Sequence, residues 1–478
     1  MKGDFTRDSF DPMEDFTRVM MQQGRPQLDA DWNEQVAIFW EFWRNFISDV
    51  VGPHAGPERN CGFGIFAEGD FPLPEEHGMT LQEQERLQQK LQGSGDFLIG
   101  GGHYYVDGIR CTNPEHVTYC SQPGLPAWPQ LDIKPHHPYL IYLDVWERHI
   151  SYVEDERIRE VALLGTDTCT RAKLVWQVRS FELPGEEKGE SKKVDCNWVR
   201  EEWTNLVQHW QARHRGRLRA QAGRTSENPS LEPTVVSPAS SYRGPANQLY
   251  RVEIHRGGSI ASGDAPTFKV SSENGSVIFP VLNVADPIIT VANLGRDAAP
   301  SLAAGDWVEL VDDDYVLQNQ ADPLRQVEIV DSGKMQVTLK GQASSKVGQN
   351  PAKHPLLRRW DHKQGDPKKG GLELADGAAL IKESDEDKFW LTLENGVQVQ
   401  FRKSDEPAHY RTGDYWLIPA RVATGNVVWP IRDGKPEAIG PHGVQHHYAP
   451  LAIVSFNRKD VLETLSNCRL VFQLQTHH

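Results

Sequence analysis

The chain has 478 residues, 38% of them hydrophobic and 24% charged, with 40 glycines and 31 prolines, a composition that fits two to four globular domains rich in strands and turns. Its net charge of −15, from 51 basic and 66 acidic residues, argues against nucleic acid or an anionic membrane as the main partner, since both need a basic face. No apolar run is long enough to span a bilayer, so direct membrane insertion is not expected.

The chain starts with Met1, Lys2 and then polar and acidic residues. No secretory leader pattern is present there, and assembly in the cytoplasm is expected. The six cysteines, Cys61, Cys111, Cys120, Cys169, Cys196 and Cys468, are scattered without a C-x-x-C pair. That spacing predicts reduced thiols, not a disulfide framework or a zinc knuckle.

The segment 18–35, "RVMMQQGRPQLDADWNEQ", reads as two short extended pieces around a turn at Gly24-Arg25. Asp29, Asp31 or Asn33 can then cap a helix, each offering a side-chain oxygen to free N–H groups. The helix ends at Gly52-Pro53, a normal stop signal. Val36, Phe39, Trp40, Trp43, Phe46, Ile47 and Val50 recur at helical spacing, and Ile38 and Phe42 widen the stripe. A helix that is apolar on most sides is expected to be covered on most sides.

Residues 80–92 form a polar pattern that predicts a short surface helix. "GDFLIGGGHYYVDGIRCTN" (95–113) reads as a β-hairpin around Asp107-Gly108. Strands follow at 139–153 and 173–183, both dense in β-forming residues. A charged linker is expected at 185–193, a second helix over 197–223 and a polar linker over 224–246. The second half predicts short strands at regular spacing, two of them beside the turns Asn274-Gly275 and Asn395-Gly396. A Gly-Asp-aromatic triplet recurs at Gly3, Gly69, Gly95, Gly305 and Gly413, and reads as a turn launching a strand. The fold class expected is α+β, predominantly β: an N-terminal arm and aromatic helix, then several small antiparallel sandwich or barrel modules. The segments drawn are 1–56 (arm and interface helix), 57–184 (β-rich domain), 185–246 (linker and central helix), 247–350 (β-module) and 351–478 (C-terminal β-module).

The case for chemistry is thin. "GPHGVQHHY" makes His442, His446 and His447 the best metal candidates, but Pro441 and Gly443 oppose a helix, and adjacent His446 and His447 would face opposite sides of a strand. The run Asp312-Asp313-Asp314 lacks the ordered oxygens and glycine of a calcium loop. Asp144 and Glu147 around Trp146 offer a pair of acids for glycoside cleavage, yet arginines nearby supply simple ion-pair partners. No nucleophile elbow or phosphate loop occurs. No cofactor, no metal and no enzymatic step are expected.

The stretches "MKGDFTRDSFDP", "VMMQQGRPQLDADWNEQ", "YLIYLDVWERHI", "RIREVALLGTDTCTRAKLVWQV", "PTFKVSSENGSVIFPV", "YRTGDYWLIPAR" and "HHYAPLAIV" occur in this order. Together they resemble an uncharacterised family encoded beside phage-tail-like contractile injection systems and related phage-tail gene sets. The resemblance runs from residue 1 to about residue 455. Val270 stands where that family suggests a tryptophan, and Pro26 where it suggests an aliphatic residue. The resemblance implies a structural part of a contractile particle, at its baseplate or in a fibre or shell attached to it. Its partners would be baseplate, tube or sheath subunits and further copies of itself. Other expectations are a fibre that binds or cleaves glycan, or a tube plug or cargo adaptor. Under the structural reading the interface would comprise Met20, Met21, Gln22, Gln23, Arg25 and Trp32 of the arm and helix start, with Phe39, Trp40, Phe42, Trp43 and Phe46. The bland reading is that arm and helix fold back on their own β-domain.

Overall fold

The computed structural model describes residues 1–473 apart from 69–79, 93–94, 126–133, 185–193, 212–213, 224–241, 264, 296–301, 344, 387–388, 404 and 458–461. The charged linker expected at 185–193, most of the linker at 224–246 and the triplet at Gly69 lie outside the described residues. Helix α1 spans Asp29–Val51, α2 Leu81–Leu91 with the Thr80–Glu83 capping box, α3 Cys196–Trp210 and α4 Asp313–Leu317. Strands outweigh helices about two to one, as the fold class predicts.

Strands β1 (His54–Pro57), β2 (Gly102–Val106) and β3 (Ile109–Asn113) begin the first unit, with Asp107 and Gly108 both at positive φ in the turn between β2 and β3. Two twelve-residue strands, β4 (Tyr139–Ile150) and β5 (Arg171–Glu182), pair along their whole length. Next come β6 (Arg217–Ala222), β7 (Gln248–Arg256) and β8 (Thr267–Ser271). The chain then makes a closed six-stranded barrel from β9 (Ile278–Ala285), β10 (Ile288–Val291), β11 (Trp307–Val311), β12 (Arg325–Asp331), β13 (Gln336–Leu339) and β14 (Leu356–Trp360). It returns through β15 (Ala378–Leu380), β16 (Val397–Arg402) and β17 (Tyr415–Arg421), and finishes with β18 (His447–Phe456), β19 (Leu462–Asn467) and β20 (Val471–Phe472).

Strand pairing crosses the segments drawn from the sequence. β18 lies beside β4 and β20 beside β1, so strands from the last segment complete both sheets of the first unit. Their shared core joins Phe63, Tyr104, Leu143 and Val178 to Leu451 and Val454. The central sheet runs β15-β8-β7-β17 and packs on the β6–β16 sheet around Trp416, Phe268 and Phe401. The barrel is inserted between β8 and β15. Its neck is closed where Asp361 N–H donates to the Val270 carbonyl and the Asp361 carboxylate accepts from the N–H and hydroxyl of Ser272.

Several expectations need correcting. The helix expected over 197–223 stops at Trp210. "RLRAQA" alternates instead, with Leu218, Ala220 and Ala222 turned into the core, and pairs with β16 as strand β6. The first helix starts at Asp29, and no side-chain cap bond forms because the cap position falls on Leu28, which has no side-chain oxygen; the Asp29 carboxylate holds the N–H and hydroxyl of Thr6. Residues 15–28 form no strand; only the turn closed by Arg25 N–H on the Gln22 carbonyl is formed. The cysteines are not all reduced. Cys196 at the start of α3 is bonded to Cys468 after β19, 272 residues apart, a pairing that adjacent-cysteine spacing does not reveal. Cys61, Cys111, Cys120 and Cys169 are free thiols. The Asn274-Gly275 turn leads from the central sheet into the barrel and joins strands of different sheets, whereas Asn395-Gly396 closes a hairpin onto β16.

The charged face of β7 and β8 is buried. Arg251, Glu253 and His255 of β7 and Lys269 of β8 are each less than 5% exposed, as is the opposing face of Val252, Ile254 and Phe268. Lys269 Nζ lies 2.7 Å from Glu309 of the barrel and 3.3 Å from Glu253, which also pairs with Arg251 and, at 3.0 Å, with Lys2. Trp360 Nε1 and the Tyr315 hydroxyl donate to the same Glu309 carboxylate at 2.9 and 3.1 Å. Removing one partner of such a buried set strands the rest. Glu309→Ala is therefore expected to cost about 3–5 kcal/mol, read by denaturant unfolding; a loss comparable to that of a surface pair would refute the ledger.

Acid should act on the same face. Burial pulls His255 of that face down to about 4 from its ordinary 6.5, and His149 of β4 to about 3. For Glu309, burial pushes upward but Lys269 and His255 outweigh it and hold the carboxyl at about 2 against an ordinary 4.5. In all three the folded value lies below the unfolded one, so the unfolded chain binds more protons as pH falls. The contribution of these three groups should be full above 6.5, decline from there as the histidines titrate in the unfolded state, and fall further below 4.5, while burial of Lys2, which lowers it to about 7 from 10.5, lets stability keep rising above neutrality. Thermal melts across that range check it, and a flat profile down to about 4 would be the contrary result.

Candidate interaction surface

Helix α1 docks on the first β-unit through its polar and small side. Ala30 and Ile38 are the buried residues of the helix, and Glu34, Ala37, Glu41, Arg44 and Ser48 lie on the same side. The anchor is the β2–β3 turn. Arg44 Nε donates to the Asp107 carbonyl at 3.4 Å, and Asp107 N–H donates to Pro53 O at 2.6 Å. A Cβ at Gly108 would fall 2.2 Å from the Arg44 carbonyl oxygen, and the φ there is +75°, so glycine is required for the helix to come this close. Gly52 ends the helix at positive φ, with its N–H on the Ser48 carbonyl.

The aromatic side points the other way. Trp32, Val36, Phe39, Trp40, Phe42, Trp43, Phe46 and Val50 are each 41–69% exposed. The rings are ordered against one another, Phe39 on Trp43 and Trp43 on Phe46 edge to face at 6.0 and 5.9 Å. Coverage on most sides, expected from the width of the stripe, is absent among the described residues; Ile38, among the residues that widen the stripe, is buried and Phe42 is not. The arm runs beside the helix. The Ser9 hydroxyl donates to Glu34, and Val19 N–H donates to Gln35 Oε1 at 2.9 Å. Met20, Met21, Gln22, Gln23 and Arg25 are all exposed, and so is Pro26.

The three histidines go to separate partners. His447 Nε2 accepts from Arg44 at 3.2 Å, which leaves Nδ1–H to donate to Asp107 Oδ2 at 2.8 Å and commits both ring nitrogens. His446 Nδ1 lies 2.6 Å from Asp144, on the opposite side of the strand. His442 bridges the Tyr415 backbone and stacks on its ring, and burial lowers its pKa. Among the described residues no cluster of three metal-ligating side chains occurs. Asp144 is buried against Arg179 at 3.1 Å, while Glu147, three residues on, is exposed on the other face of β4. The acidic run at 312–314 is structural: Asp312 caps α4, Asp313 pairs with Arg148 and Asp314 with Lys353. Sequence reasoning missed the Arg44–Asp107–His447 anchor. The Asp-Gly turn was visible, but nothing in it showed that a helix would rest on it.

A family model described as "Family of unknown function (DUF6519)" matches residues 1–188 and 183–473. The two matches span nearly the whole chain, which therefore belongs to that family. No curated protein and no solved structure matches it.

Side chains that touch only their neighbours on an exposed helix face contribute little to stability. Phe39→Ser and Trp43→Ser should each change unfolding free energy by less than about 0.5 kcal/mol, an unusual result for large aromatics. Gly108→Val should instead detach the helix, seen as faster amide exchange across 29–51. A large loss of stability in the serine variants would place the aromatic face in the chain's own core.

Proposed function

We propose that the chain is a structural, non-catalytic subunit of a phage-tail-like contractile particle, placed at the baseplate or in a fibre or shell attached to it and acting through subunit interfaces. The observation that carries this reading is the orientation of α1. Its polar side is spent on the chain's own fold and its aromatic side is left for another surface, and Trp and Phe are the side chains that supply most of the buried area at interfaces. The placement in a contractile particle rests on the resemblance in motifs such as "MQQGRPQLDADWNEQ" and "YRTGDYWLIPAR". The chain would be made and assembled in the cytoplasm, with neighbouring baseplate, tube or sheath subunits as partners. The exposed arm, with its paired methionines, gives such a neighbour an adaptable apolar strip.

The test uses cells that carry the native gene set. Particles are sheared free, sedimented and probed for a tagged copy of this chain. Co-sedimentation in fixed ratio to sheath protein, lost in the Phe39→Ser/Trp43→Ser variant, is the expected result. Its absence from intact particles would overturn the placement.

A further inference from the structure

The outward face of α1 carries a continuous seam of six apolar side chains. Trp32, Val36, Phe39, Trp43, Phe46 and Val50 are spaced 4, 3, 4, 3 and 4 residues apart. This is the alternation of a heptad seam, with Val36, Trp43 and Val50 at a positions and Trp32, Phe39 and Phe46 at d positions. Its five steps cover 18 residues, so the spacing fits a surface stripe and a heptad seam alike, and what separates the two here is that the seam faces away from the chain's own fold. We propose that α1 is a self-pairing helix: copies of this chain associate by packing their Trp32–Val50 seams against one another, so that the chain bodies lie outside a shared helical core. This rests on the reading of α1 as an assembly surface and names its occupant as a second copy of α1.

Charge and area both fit that occupant. Asp31, Glu34, Glu41 and Arg44 lie away from the seam, toward the body, and Asp29 stands at its end. The positions flanking the seam hold Asn33, Gln35, Trp40, Phe42, Ile47 and Asp49. The single charge there means that two copies of a strongly acidic chain meet with almost no like-charge contact along the seam. In a parallel pairing Phe42 of one copy would lie beside Ile47 of the next, apolar on apolar. The exposed apolar side chains of this face, at roughly 150–250 Å² per aromatic and about half exposed, present about 800 Å² per copy, on the order of what one partner buries in a specific interface. The inner side is already fixed by Ile38, Arg44 and Gly108, so the seam is held in a helical geometry before any partner arrives.

Sedimentation velocity of the full chain over a wide concentration range tests this. The wild type should sediment as a defined oligomer. Phe39→Glu and Trp43→Glu should each weaken association by at least roughly 30-fold, as loss of a buried aromatic anchor does. Phe39→Leu should retain assembly, and Asn45→Lys, exposed but off the seam, should leave it unchanged. Unchanged circular dichroism shows that each variant is folded. Should a glutamate variant misfold, Val36→Cys in a Cys120→Ser/Cys169→Ser background, which removes the two exposed free thiols, gives a second reading, expected as a covalent dimer on oxidation that the same background without Val36→Cys does not form. A wild type that stays monomeric throughout, or an oligomer indifferent to both glutamates, overturns self-pairing. Neither result touches co-sedimentation with particles, which stands or falls separately.

Discussion

The structure hangs on one buried cluster of opposite charges. Lys269 and Arg251 on the central sheet, Glu253 between them, Glu309 from the barrel and Lys2 from the start of the chain meet on a buried face that only Lys2 opens partly to water. A charged side chain taken out of water costs several kcal/mol unless its partners are in place. The barrel and the N-terminal residues must therefore both be seated before the sheet can tolerate its own β7. An apolar face would accept many arrangements of barrel on sheet; this one accepts the arrangement in which every carboxylate meets its cation. Trp360 and Tyr315, both of the barrel itself, add directional bonds to Glu309, which fix the direction in which its carboxylate is presented to Lys269.

The same N-terminal residues link that cluster to the outward helix. Asn274 donates to the carbonyls of Met1 and Gly3, Arg421 donates to the Thr6 carbonyl, and Thr6 engages Asp29 at the start of α1. At its other end the helix is held by the Asp107–Gly108 turn of a different unit. α1 is thus strapped across the molecule by its polar side, and its stability does not depend on the aromatic face. Most surface helices show the reverse arrangement, polar side out and apolar side in. The inversion separates what holds the helix in place from what it offers to others.

Much of the fold could be read from the residues. The end of α1 at Gly52, the hairpin at Asp107-Gly108, the long strands at 139–150 and 171–182, and the turns before Leu98, Trp307 and Tyr415 all follow local rules of period and turn chemistry. What escaped was information about coverage. Alternation in "YRVEIH" separates Arg251, Glu253 and His255 from Tyr250, Val252 and Ile254, but only the barrel and the N-terminus decide that both sets are buried. The strand at 217–222 was hidden because Arg-rich text after a helix reads as more helix until its partner β16, far along the chain, is known. Cys196 and Cys468 are invisible as a pair for the same reason. At the candidate site, the aromatic residues could be named from the sequence, while the direction they face could not.

The pairing of β18 with β4 has a consequence for how the protein is made. The first unit's core is shared between residues up to Val178 and residues from Ala449 onward, so its second sheet lacks a strand until almost the entire chain has left the ribosome. At about 5–20 residues per second, β4 waits on the order of 15–60 seconds with one edge open. In that interval the central sheet and the barrel, whose strands all lie between, can close first. Folding then runs from the middle outward, and the open edge of β4 is the place where a nascent chain most needs protection from its neighbours on the same message.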